Sequence, residues 1–210
     1  MNEMLETNVF SHWLPLALFA LVFLYLLIHQ QFRLGDRSID EVTMFLRRLD
    51  WTEVLEVFDL PRERWLKTSQ PRRQYRRTMR VRIHAAREFI ARMYHNVRMV
   101  HEWANTQLRA INGKPEESLT DRERQIVTLA QKAVEFRAFA LLRLFQLTLW
   151  SVLRIETWPL AAVPSIAALR RCGHQGELDL LELYRVLQEA IARLALARGL
   201  RFHDEVRAGF

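Results

Sequence analysis

The chain has 210 residues, with 31 Lys and Arg against 24 Asp and Glu, a formal net charge of +7. Its single cysteine, Cys172, excludes an internal disulfide framework and fits a reducing compartment. Basic residues number 13 against 3 acidic ones between positions 61 and 110, but 4 against 7 in 33–60 and 14 against 12 in 111–210, so the positive excess is one block. Only three of the basic residues are lysines, a bias that carries no functional weight by itself.

The first element is the run Val9 to Ile28, VFSHWLPLALFALVFLYLLI, inside 26 residues (Thr7 to Phe32) without Asp, Glu, Lys or Arg. Twenty helical residues span about 30 Å, the thickness of a bilayer's hydrocarbon core. The leader carries Glu3 and Glu6 and no basic side chain, and no small-residue cleavage site succeeds the run, so it reads as an uncleaved signal-anchor. Trp13 to Ile28 contains no Asp, Glu, Lys, Arg, Asn, Gln, Ser or Thr, which leaves a globular surface helix no wet face. Arg33, Arg37, Arg47 and Arg48 come soon after, so positive-inside places the amino terminus outside and the rest in the cytoplasm, a single-pass arrangement.

Glycine and proline punctuate the remainder of the chain, and the intervals between are rich in Leu, Ala, Arg and Glu, good helix formers. No sustained period-two alternation occurs, so the fold class is all-α: an N-terminal transmembrane helix followed by a helical bundle built on a long antiparallel hairpin. The expected organisation is an anchor over 1–32, short helices and linker over 33–70, a bundle over 71–200 and a polar tail over 201–210. Ser38 with Glu41 forms a capping box that opens a helix over roughly Ile39 to Leu49. Asp50 with Glu53 opens a second, with Trp51, Val54, Leu55 and Phe58 on one face. Pro61 is expected to end this pair, with a turn over Arg62 to Leu66.

From Arg72 to Ile111 there is neither Gly nor Pro. Ala86, Ile90, Met93, Val97, Val100, Ala104, Leu108 and Ile111 make one helical stripe, with Arg73, Arg76, Arg77, Arg80, Arg87, Arg98 and Arg109 opposite. Asn112 to Pro115 breaks the helix, and Thr120 with Glu123 caps another reaching about Ile155, which packs back as a hairpin. Its second half, Ala138 to Leu153, is apolar nearly all round, the mark of a helix buried in protein or in lipid. Arg143 favours a central bundle helix over a second crossing. Ser165 to Arg171 is a short helix closed by Gly173. The last runs from about Glu177 to Arg198, with Leu180, Tyr184, Leu187, Ile191 and Leu194 on one face.

No acidic residue lies between Arg64 and Arg87. Arg72, Arg73, Arg76, Arg77, Arg80 and Arg87 are therefore the candidate lipid- or partner-binding residues, since each basic side chain near anionic lipid is worth roughly 1 kcal/mol. A solvated face or an acidic partner fits the same charge, and nucleic acid is disfavoured for want of any recognisable binding motif. His84, Glu88, His95 and Glu102 share one arc, but only His84 and Glu88 are one turn apart, so a solvated face is preferred to a metal site. Cys172-Gly173-His174 lacks the third residue that a nucleophile needs. With no phosphate loop, nucleophile elbow or zinc motif, the expectation is a non-enzymatic protein without catalytic residues, cofactor or metal. Its cytoplasmic domain is expected to bind membrane lipid, a protein partner or a second copy of itself. The alternatives are an accessory subunit of a larger membrane complex and a membrane-tethered nucleic-acid binder.

Overall fold

The computed structural model describes residues 45–152, 165–172 and 178–196, all within one compact unit spanning 36–210. The expected N-terminal anchor lies outside the described residues.

Residues 46–50 are not helical, so the helix expected to reach Leu49 does not extend there. The Asn96 side chain supplies the reason, because it satisfies both backbone groups of Arg47 and removes the need for helical partners. Helix α1 (Trp51–Val57) comes next, and the Asp50 carboxylate accepts from the backbone N–H of Thr52 at 2.8 Å and of Glu53 at 3.4 Å. Val54 and Phe58 are buried as expected, whereas Leu55 faces solvent. Pro61 does not end the pair. It stands in the first turn of helix α2 (Leu60–Ser69), where its missing donor would have had no helical acceptor. The expected turn over Arg62 to Leu66 is therefore helix.

Helix α3 (Arg72–Ile111) is 40 residues long, and its apolar stripe is buried from Ala86 through Ala104. It stops at Asn112–Gly113, where Gly113 takes φ +97, a conformation that favours glycine. Helix α4 (Asp121–Val152) starts on a reciprocal capping box. Thr120 Oγ1 accepts from Glu123 N–H at 3.3 Å, and Glu123 Oε2 accepts from Thr120 N–H at 2.8 Å. Lys114 Nζ adds a 2.8 Å ion pair to the other carboxylate oxygen, and these bonds hold the Glu123 pKa down at about 2. Thr120→Ala is expected to cost about 1 kcal/mol, read as a shift of the denaturant midpoint at constant slope. The short connection forces α3 and α4 to pack antiparallel, and they make the largest interface among the described elements.

The expected helix from Ser165 shortens to a 3-10 turn, Ala167–Arg170, followed by two paired two-residue strands. These are β1 (Arg171–Cys172) and β2 (Leu178–Asp179), antiparallel, with Arg171 opposite Asp179. Buried Glu63, from α2, caps the 3-10 turn by accepting Ile166 N–H at 3.0 Å and Ala167 N–H at 3.1 Å. Helix α5 (Leu180–Leu196) begins on Asp179, whose carboxylate accepts from Leu181 N–H at 2.9 Å. Leu180, Tyr184, Leu187, Ile191 and Leu194 are all buried. The Tyr184 ring stands 5.8 Å from Trp51 and 5.5 Å from Phe136, which joins α1, α4 and α5. Apart from the strand pair, the described regular structure is helical.

Candidate functional site

The apolar stripe of α3 faces the bundle, which turns Arg72, Arg73, Arg77, Arg80 and Arg87 outward. At 100° per residue, Arg73, Arg76, Arg77, Arg80 and Arg87 fall within an arc of about 100°. Arg72, Arg73, Arg77, Arg80 and Arg87 are exposed and Arg76 is half-buried. Arg72, Arg73, Arg77 and Arg87 form no ion pair among the described residues. Further along α3 two of the three arginines are neutralised, because Arg92 pairs with Glu88, and Arg98 with Glu102 at 2.7 Å. The positive excess therefore sits at the amino-terminal end of one long helix.

Two apolar side chains stand out there. Val81 is 66% exposed and, with Arg73, Arg76, Arg77 and Arg80, lines a shallow open depression. Trp65 is 63% exposed on α2. Arg82 Nη2 ties α3 to the Val57 carbonyl at 2.6 Å, and Thr78 Oγ1 donates to Gln70 Oε1, just past the end of α2, at 3.1 Å. Val81 is legible in the sequence as an apolar residue one turn after Arg77, just beyond the edge of that arc. Trp65 carries no such signal, since a tryptophan in a helix is as often core. Arg82 belongs to the basic block in sequence but not in space. It is buried, its guanidinium donates to the carbonyls of Val57 and Asp59, and burial pulls its pKa below the usual arginine value while Glu63 opposes that shift.

The other constellations do not assemble. His84 is exposed, Glu88 holds Arg92, His95 Nε2 lies 3.2 Å from the Phe45 carbonyl and Glu102 holds Arg98. Among the described residues no three His, Cys, Asp or Glu side chains gather as a metal site. Cys172 ends β1, and its neighbours Gly173 and His174 lie outside the described residues.

Spacing along the chain gives no hint of a buried polar contact between the long helices, yet one is present. Arg137 Nη1 is 2.7 Å from His101 Nδ1, and a guanidinium can only donate, so that nitrogen accepts and the imidazole is neutral. Burial, reinforced by the Arg137 charge, lowers the His101 pKa to about 4. The unfolded chain therefore binds a proton between pH 6.5 and about 4 that the folded chain refuses. Stability is expected to be complete above that window and to fall as the pH drops through it. His101→Gln, which keeps an acceptor and cannot titrate, is expected to flatten this part of a stability-versus-pH profile.

The second half of α4 is not buried on all sides. Ala140 and Leu147 face inward, while Leu142, Phe145, Leu149 and Val152 are 43–70% exposed. The expectation of an enclosed central helix is thus corrected, because α3 and α5 pack on part of its circumference and leave the rest open. Arg143 turns back to the bundle, donating to Gln146 Oε1 at 2.6 Å and to the Arg171 carbonyl. Among the described residues no helix is long and apolar enough to cross a membrane. No family model, curated protein or solved structure matches the chain.

Proposed function

We propose that this is a non-enzymatic protein held at a membrane by its N-terminal apolar run, whose helical domain lays the first four turns of α3 on the anionic lipid headgroups of the cytoplasmic leaflet. The carrying observation is the row of outward arginines, free of acidic neighbours along the sequence from Arg64 to Arg87 and presented by a continuous helix. Guanidinium groups pair with phosphate oxygens in bidentate geometry, and a headgroup layer is a dense field of such acceptors. Val81, set among Arg73, Arg76, Arg77 and Arg80, suits the same surface, since an exposed apolar side chain among cations can enter the interfacial zone while the charges stay wet.

The test is the full chain in vesicles, with Cys172→Ser and a fluorophore on Val81→Cys. Quenching by lipid-borne quenchers is expected in vesicles containing anionic lipid, absent in zwitterionic ones and reversed by salt, because the attraction is screened over about 10 Å at 0.1 M. Equal quenching in both compositions would sink the proposal. A second reading, an accessory subunit in a larger membrane assembly, draws support from the exposed apolar face of α4.

A further inference from the structure

The exposed apolar side chains in the second half of α4 keep a strict spacing. Ala138, Leu142, Phe145, Leu149 and Val152 are separated by four, three, four and three residues, the a/d repeat of a helix seam. Ala138 is exposed, and Leu142, Phe145, Leu149 and Val152 are 52, 51, 43 and 70% exposed. The flanking positions Phe139, Leu141, Gln146 and Thr148 carry no charge. A heptad partner chosen by charged flanks has nothing to read there, so the complement must itself be apolar and uncharged at its edges.

We infer that this seam pairs with the same seam of a second copy of the chain, the two α4 helices running antiparallel across a two-fold axis at Phe145. Read in either direction the seam is almost the same: Ala, Leu, Phe, Leu, Val. An antiparallel pairing sets Leu142 against Leu149 and fits small Ala138 against Val152, each contact made twice, as a two-fold interface requires. A parallel pairing would instead oppose Ala138 to itself, which leaves a gap, and Val152 to itself at the other end. The exposed seam, with Val134 at its edge, offers roughly 500 Å² per copy, as large as the biggest apolar patches that monomers tolerate. Two copies would bury roughly 1,000 Å², just under the range of specific stable interfaces. The dimer is therefore concentration-dependent, and confinement of both copies in one membrane would favour it. The arginine face of α3 is a separate surface, and this pairing stands whether or not that face meets lipid.

The test is oxidative cross-linking of the full chain in detergent, with Cys172→Ser as background. Phe145→Cys is expected to cross-link to itself several-fold more than Val81→Cys or Leu142→Cys. Leu142→Cys mixed with Leu149→Cys should link where neither links alone. Equal self-linking at all three seam positions, or no excess at position 145, would overturn the pairing, the first pointing to a parallel seam and the second to lipid or another segment on it. Sedimentation supplies the second readout, because Leu142→Glu, checked for retained helicity, is expected to abolish the rise of mass with concentration. A folded Leu142→Glu that still associates like the parent would equally overturn it.

Discussion

Replacing Arg72, Arg73, Arg77 and Arg87 together by glutamine is expected to shift the equilibrium between lipid-docked and undocked domain by about three orders of magnitude at low salt. The figure comes from about 1 kcal/mol per basic residue near an anionic surface, and tenfold per about 1.4 kcal/mol. These four are chosen because they are exposed and lack ion pairs among the described residues, so their removal leaves no carboxylate stranded there. Glutamine preserves helix propensity, so far-ultraviolet circular dichroism should not change. Quenching of a fluorophore at position 81 would read the loss. The effect should shrink as salt rises, whereas a specific apolar contact would persist. Arg82→Gln makes the contrasting control. Buried Arg82 ties α3 to the carbonyls at the end of α1 and just beyond it, so its loss should lower stability without the same salt-dependent loss of docking.

Asn96→Ala is expected to destabilise the domain by about 2–4 kcal/mol, a large part of the stability of a typical domain. Asn96 is fully buried, and its amide is committed three ways. Oδ1 accepts from Arg47 N–H at 2.7 Å, while Nδ2 donates to Arg47 C=O at 2.9 Å and to the Tyr184 hydroxyl at 2.9 Å. Alanine strands both backbone groups of Arg47 and takes one partner from the Tyr184 hydroxyl. Tyr184 cannot relieve its loss by ionising, because burial drives its pKa upward. Asn96→Asp keeps the shape but loses both donors and buries a charge, so it should be at least as damaging. Chemical denaturation would read the shift in midpoint, and limited proteolysis near residues 45–50 should quicken, since Asn96 and His95 hold that segment to α3. A midpoint shift worth less than about 0.5 kcal/mol would show that water replaces the amide there.

The arginines and Asn96 are unequally visible in the sequence. The arginines announce themselves, because their period matches the helix and opposes an apolar stripe, so placing the stripe inward places them outward. Asn96 gives no sign, since a lone asparagine beside the stripe is equally compatible with solvent and with a buried partner. Its partners lie 49 and 88 residues away, beyond any local pattern. Glu63 and the His101–Arg137 contact escape for the same reason. Pro61 is ambiguous because proline both ends helices and opens them, and the choice depends on whether the residues after it find a packing surface.

The exposed half of α4 shows the limit from the other side. Hydropathy establishes that Ala138 to Leu153 is apolar around its circumference, but enclosure depends on how many neighbours arrive and from which directions.

The helical class, the long hairpin with its capping box at Thr120 and the basic face of α3 are all written along the chain, because each depends on spacing within one helix or on side chains a few residues apart. Packing alone settles that Arg82 leaves that face, that Asn96 and Glu63 bind distant backbone groups, and that α4 keeps an open apolar seam. Those outcomes depend on which surfaces meet, and a buried polar group takes whatever partner the packing brings within hydrogen-bond reach.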